Sequence, residues 1–478
     1  MTENESQSME MDNKTDLIDE SEKAAARRCM ETAIRLGASQ VRISLNKSET
    51  DSFTLLNGEL DKVTRSADRS IFMHLFADGR YGTFSTNVFE GKSLDGFVSQ
   101  ALSTVRMLAP DPYRRLPDPD RTAKDAVTGT EAGLYDATYR DTDEKMKLGA
   151  ALSGSLFRQG KCVRGDGYEV ISEECEYSDG CDDNYTIDSQ GFEGRHIETS
   201  FAYCSEITIT DSKGDRYSGY WWDSSPERDG MDIISCADTA LLKAIRQIGP
   251  KRHKSGPETM VVDRSVSSRL VAPLFSALNA MSLQQKSSFL PDSLGEKVFS
   301  DGLTIMDMAR TYGKPGSRRY DSEGVATAEV PVISGGVVRE YFVNTHMAGK
   351  TGMKPTIEGV SRPVLLPFNG MSVPCGSAVL DSEEKEITLR DILKGCGSGI
   401  YVCGFNGGNC NPVTGDFSYG IEGFVFSGSE ITSPVREMLI TGNMKRLWNS
   451  LLAAGTDARA CTRWQMPTLA FQNVDFSA

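Results

Sequence analysis

An α+β fold is predicted by this sequence, with helices and antiparallel strands grouped in blocks, and three observations carry the prediction. Runs of alternating apolar and polar residues recur between turn dipeptides, helical periodicity is confined to separate stretches, and strand and helix do not alternate as a doubly wound parallel sheet requires. At 478 residues the chain is too long for one ordinary core. The expected organisation is a disordered acidic tail at 1–20, an N-terminal α+β domain with an antiparallel sheet and helices at 21–250, and a C-terminal β-rich domain at 251–478 with an antiparallel sheet or barrel-like core.

The first 20 residues carry Glu, Asp, Ser and Asn with few large apolar side chains, too few to offset the entropy of ordering. Helix formers from Glu22 to Leu36, stopped by Gly37, predict the first helix. The alternating runs that follow are broken by Asn57-Gly58 and Asp78-Gly79, dipeptides suited to tight hairpins, so an antiparallel meander is expected. A second helix is predicted from Ser93 to about Met107, before Pro110, and a third from Thr142 to Gln159. Alternation resumes from VISEECEYSD to YWWDSS, and a helix pattern follows at Ile233–Ile248. The polar, Pro- and Gly-containing IGPKRHKSGPET marks the linker near residue 250. Beyond it the sequence predicts a helix at Ser265–Met281, a Gly-rich strand region at Val298–Phe426, a helix at Met444–Ala453 and a terminal strand in MPTLAFQNV.

With 52 basic and 67 acidic side chains the formal charge is −15, which repels phosphate backbones and anionic lipid surfaces. Neither nucleic acid nor membrane is therefore expected as a partner. The patch Lys251, Arg252, His253, Lys254 reads as a solvated turn. No stretch approaches the ~20 apolar residues of a membrane helix, and the acidic start is unlike a signal peptide. The expected compartment is the cytoplasm, where the 11 cysteines remain thiols.

Local motifs for chemistry are largely missing. The four histidines, His74, His196, His253 and His346, are too far apart in sequence for a two-histidine zinc helix. Cys375, Cys396, Cys403 and Cys410 lack the short C-x₂₋₄-C spacing of structural zinc. Gly397-Ser398-Gly399 is not a nucleophile elbow, and GFNGGN lacks the G-K-[ST] of a phosphate loop. The acidic run Glu173, Glu174, Glu176, Asp179, Asp182, Asp183 lacks the order of a calcium loop and reads as a solvated edge. Two segments stand out. SRRYDSEGVAT carries Arg318, Asp321, Glu323 and Gly324; FNGGNCNPVTGDFSYGIEGF carries Asn406, Asn411, Thr414, Gly415 and Asp416. Both define loops, and composition leaves open whether they grip a ligand or shape a turn.

These segments, with LLNGELDKVTRS, DGRYGTFSTN, DSQGFEG, YWWDSS, KSSFLPDSLGEKVF and SPVREMLITGNMKRLW in order along most of the chain, resemble the TldD/TldE (PmbA) family, described as candidate modulators of DNA gyrase and associated with proteolysis. The wording KSSF and N-x-V-T-G-D-F-S is closest to the TldE/PmbA-type subunit. In the catalytic subunit of that family, an H-E-x-x-x-H helix precedes the segment matching Lys286, and a later cysteine completes a zinc site. Here the equivalent stretch reads RLVAPLFSALNAMSLQQK, without histidine or glutamate, and Cys461 has no imidazoles to join. The resemblance thus implies no cofactor in this chain, zinc in a TldD-like partner, unfolded peptides as substrates, and a homodimer for the isolated chain. It places Arg318, Asp321, Glu323, Gly324, Asn406, Asn411, Thr414, Gly415 and Asp416 at the partner or the peptide. The alternatives are an autonomous hydrolase using Cys403 or Cys410 with His346, and a gyrase-modulating binding protein.

Overall fold

The computed structural model describes residues 17–161, 163–371 and 386–478. The chain forms two compact units. The first holds the described residues up to Ile245 together with Arg310–Thr327 and Thr345–Met353; the second holds Arg246–Ala309, Ala328–Asn344 and the described residues from Lys354 onward. Of the expected tail, 1–16 lie outside the described residues, while Leu17 and Ile18 are buried and Ile18 N–H donates to Asp183 at 3.0 Å.

In the first unit, α1 (Glu20–Arg35) starts in a reciprocal cap: Asp19 accepts from the Glu22 backbone and Glu22 accepts from that of Asp19. Strands β1 (Gln40–Leu56), β2 (Glu59–Ala77) and β3 (Arg80–Thr86) form the meander expected from the turn dipeptides. Asn57, Gly58, Asp78 and Gly79 all have positive φ, the conformation those two-residue turns demand. Next come α2 (Gly91–Val105), α3 (Glu144–Ser153), the short β4 (Arg164–Gly165), then β5 (Tyr168–Asp188), β6 (Glu193–Asp211), β7 (Arg216–Ser225) and α4 (Ile233–Arg246). The sheet order is β3-β2-β1-β5-β6-β7, antiparallel throughout. Helix α3 stops earlier than its pattern predicts because Glu173 on β5 captures the Ser155 hydroxyl at 2.5 Å and the Leu156 N–H at 2.7 Å.

Strand β5 corrects the reading of its acidic run as a solvated edge. It lies between β1 and β6, and Glu173, Asp179 and Asp183 are buried. Each is offset by distant groups: Glu173 as above, Asp179 by Lys147 at 2.7 Å, and Asp183 by both guanidinium arms of Arg195 at 3.0 and 2.6 Å. These partners are remote in sequence, so the run alone gave no sign of its burial.

The second unit begins with β8 (Gly256–Val262), α5 (Ser268–Ala277) and α6 (Ala280–Gln284). One helix was expected there; Asn279 breaks it by taking an extended conformation (φ −80°, ψ 130°) and capping α6 through the Met281 N–H. A small sheet pairs β9 (Ile305–Met308), β10 (Glu329–Ser334), β11 (Val337–Val338) and β12 (Pro363–Leu365) in the order β11-β10-β9-β12. Helix α7 (Thr345–Thr351) belongs to the first unit.

The rest comprises β13 (Phe368–Asn369), α8 (Leu389–Cys396), β14 (Ser398–Cys410), β15 (Asp416–Ser427), β16 (Glu430–Asn443), α9 (Met444–Asn449), β17 (Leu451–Ala454) and β18 (Leu469–Ser477). Strands β8, β14, β15, β16 and β18 close into a barrel because β18 pairs back onto β8. All its seams are antiparallel except β8 with β14. Ile392 and Leu393 of α8 pack with Val261, Phe426 and Ala470 of the barrel strands. The predicted α+β architecture with a barrel-like C-terminal core is the one observed.

Candidate functional site

A peptidase zinc site requires converging imidazole and carboxylate or thiolate donors. The stretch where the family resemblance would place them is α5, whose Leu270, Val271, Leu274, Phe275 and Ala277 are buried. Phe275 meets Trp464 edge-on at 5.1 Å, and Trp448 donates its indole N–H to the Leu270 carbonyl at 3.3 Å. Each such buried side chain contributes about 1.5–3 kcal/mol, so this face serves packing. Pro273 lies inside the helix and leaves the Arg269 carbonyl without its N–H partner one turn on.

Nor, among the described residues, do donors arrive from elsewhere. Each of the four imidazoles has its own partner: His74 with the Tyr81 hydroxyl at 2.7 Å, His196 with Glu198 at 3.5 Å, His253 with Glu258 at 2.7 Å and His346 with Asp111 at 2.8 Å. Among the described residues, no group of three or more His, Cys, Asp or Glu is placed to hold a metal ion. The described residues do not fit a catalytic zinc.

The segment Ser317–Thr327 spends its polar groups on its own shape. Asp321, 2% exposed, accepts the N–H groups of Glu323 and Val325 at 2.9 and 3.0 Å. Gly324 has φ +79°, and a Cβ there would lie 2.8 Å from the Phe192 ring. Arg42 on β1, also buried, donates to the carbonyls of Ser322 (3.2 Å) and Glu323. Glu323 in turn accepts the N–H and hydroxyl of Thr345, both at 2.8 Å, which fixes the start of α7. The Arg318 carbonyl takes the Thr327 hydroxyl at 2.5 Å.

The second segment forms the β14–β15 turn of the barrel. Asn411 accepts the Val413 N–H at 2.9 Å, Thr414 accepts that of Asp416 at 3.2 Å, and the Asn443 amide bridges the Thr414 carbonyl and the Asp416 carboxylate at 2.9 Å each. Hydrogen bonds from Asn443 and Thr414 hold the exposed Asp416 carboxyl below the usual range. Gly415 has φ +77°. Asn406 donates to Glu422 at 2.9 Å on the exposed part of the hairpin. The two segments belong to different units, and the exposed edges of Asn406, Asn411, Thr414 and Asp416 are what remain open to solvent.

The cysteine-based alternative gains no support at Cys410. Burial pushes Cys410 up to about 11, and Asp416 adds to the shift, against the low pKa that a nucleophile needs. Cys403 packs against the barrel cluster, and Cys375 lies outside the described residues. His346, lowered by burial, is engaged with Asp111 in the first unit.

Sequence reasoning missed one feature, a half-open groove of about 280 Å³ on the first sheet, lined by Lys47, Asp68, Arg69, Asp182, His196 and Glu198 among others. Cross-strand register assembles it: Ser48 faces both Asp68 and Asp182, and Asp182 faces Glu198. Burial and the adjacent Glu198 raise the Asp182 carboxyl above its ordinary value.

The architecture and the sequence define a protein of the metallopeptidase fold class: residues 255–478 match the PmbA/TldA metallopeptidase C-terminal domain, and residues 41–104 match PmbA/TldA metallopeptidase domain 1. A solved candidate modulator of DNA gyrase from Bacteroides thetaiotaomicron is 36% identical, with a TM-score of 0.88 over 97% of this chain and 100% of that one. The chain belongs to the PmbA/TldD family. Metalloprotease PmbA of Escherichia coli O157:H7 is 24% identical over 92% of this chain and 93% of its own. TldE from Thermococcus kodakarensis shares the fold at a TM-score of 0.77 and 16% identity, over 95% of this chain and 100% of that one.

Proposed function

We propose that this chain is the zinc-free subunit of a TldD/TldE-type metallopeptidase complex, guiding unfolded peptides to a TldD-like subunit that carries the metal. The carrying observation is the donor-free α5, filled by Leu270, Val271, Leu274 and Phe275 and interrupted by Pro273, within a chain of a metallopeptidase family. In this reading Arg318, Asp321, Glu323 and Gly324 shape one contact surface, and Asn406, Asn411, Thr414, Gly415 and Asp416 another, for partner or peptide. The self-satisfied geometry of both loops suits a preformed surface, because ordering was completed in folding and need not be repeated on binding.

The cytoplasm is the compartment proposed. No helix among the described residues is long and apolar enough to cross a membrane. A gyrase-binding role is less favoured, since the net charge of −15 opposes approach to DNA.

The test is reconstitution. The purified chain is assayed on an unfolded peptide alone, then with a TldD-like subunit from the same cell. The expected result is no turnover alone and cleavage in the mixture beyond that of the zinc subunit by itself. Chelator-sensitive cleavage by the isolated chain overturns the reading; chelator-insensitive cleavage abolished by Cys410→Ser or Cys403→Ser supports the hydrolase alternative instead.

A further inference from the structure

Strand β2 has two unequal halves. From Ile71 to Phe76 it is flanked by β1 and β3. From Glu59 to Ser70 it pairs with β1 only, and among the described residues no strand covers its other side. Glu59–Arg69 are exposed. Such an edge presents a row of free N–H and C=O groups able to accept a further strand.

Natural edges of this length are usually interrupted by a proline or bulge. Here the pairing with β1 has one irregularity, where Asp61 is skipped between Lys62 and Leu60, and from Lys62 to Ser70 the ladder is regular and free of proline. The charges on that regular stretch are Lys62, Arg65, Asp68 and Arg69, of both signs.

We propose that this edge is a self-association surface, on which β2 of a second copy of the chain pairs antiparallel about a two-fold axis at Arg65. A two-fold perpendicular to the sheet keeps each side chain on its own face, so a residue must lie on the axis and allowed registers differ by steps of two. With Arg65 on the axis, Lys62 faces Asp68 of the second copy, Asp68 faces Lys62, Val63 faces Ala67, and Thr64 faces Ser66. This is the one register over Lys62–Ser70 that opposes unlike charges. Axes at Thr64 or Ser66 pair Lys62 with Ser66 or Ser70, and an axis at Ala67 sets Arg65 against Arg69.

The two Arg65 side chains on the axis do not repel unshielded, because each is held in its own chain by Glu144 at 2.9 Å and Asp51 at 3.5 Å. Beyond Lys62 the irregularity at Asp61 ends the ladder, which limits the join to a defined length and discourages open-ended stacking. The association uses no residue of α5 and is independent of the metal reading.

Sedimentation velocity of the full chain over a range of concentrations tests it. The wild type is expected to show a monomer–dimer equilibrium. Lys62→Glu and Asp68→Lys each turn two symmetry-related attractions into repulsions and should weaken the dimer about tenfold; the double variant should regain wild-type association. Among the described residues neither Lys62 nor Asp68 forms an ion pair within its own chain, so folding is spared. As a second readout, Arg65→Cys should give a disulfide-linked dimer on mild oxidation, and Ser66→Cys, which faces Thr64, should not. A wild type that stays monomeric, a dimer indifferent to both charge changes, or a double variant as weak as the singles overturns the proposal.

Discussion

The Glu323 carboxylate accepts both the backbone N–H and the hydroxyl of Thr345, each at 2.8 Å, and so ties the two segments that return to the first unit, Arg310–Thr327 and Thr345–Met353. Glu323→Ala leaves that N–H without its carboxylate and should destabilise the chain by about 1–3 kcal/mol. Glu323→Gln, which can still accept, should cost less. Urea unfolding followed by circular dichroism measures the difference.

A second prediction concerns Lys147, a buried residue of α3 held by Asp51 at 2.8 Å and Asp179 at 2.7 Å. Lys147→Met strands the fully buried Asp179 as an uncompensated charge, an expected loss of about 3–5 kcal/mol. Replacing Asp179 by Asn in the same chain should recover part of it. Unchanged stability in the single variant would show that the pair is not formed.

His74 makes stability depend on pH. Burial foremost, then the charges of Arg42 and Arg114, hold its imidazole down at about 4, against 6.5 in the unfolded chain. Below pH 6.5 the unfolded state therefore takes up a proton that the folded state refuses. The contribution is complete above pH 6.5 and is lost as pH falls towards 4, on the order of 3 kcal/mol over the window. His74→Gln should flatten this part of the curve; an identical acid slope in both proteins would contradict the assignment.

Gly219 on β7 sets how closely α4 can approach the sheet. A Cβ there would lie 2.0 Å from the Ala240 carbonyl oxygen and 2.6 Å from the Ala244 nitrogen. Because both obstacles are backbone, Gly219→Ala must push helix and strand apart, at about 1–3 kcal/mol or more. Thermal unfolding of this variant beside Gly96→Ala, whose Cβ would meet nothing within 4 Å, separates a steric effect from the loss of glycine itself.

Much of the fold was written locally. Asn57-Gly58 and Asp78-Gly79 specify the meander because few other dipeptides tolerate two positive φ values in succession. Helix α8 was missed although Thr388 and Asp391 form a reciprocal cap at its start, a sequence signal that could have found it. The helix expected at Met444–Ala453 ends at Asn449 because Leu451–Ala454 pairs with β18, a non-local contact that outweighs helix propensity. The candidate loops were legible as loops from their Asn, Asp, Thr and Gly. Their stabilising partners were not, because Arg42 lies 280 residues from the Ser322 carbonyl it binds.

The central claim is that this polypeptide has no side-chain cage for zinc, and elemental analysis of the purified chain after dialysis against EDTA and re-exposure to zinc addresses it most directly. Zinc far below one atom per chain, with a TldD-like subunit treated in parallel retaining its metal, is the predicted result. One tightly held zinc per chain, unaffected by substitution at the protein's termini or any purification tag, would contradict the account.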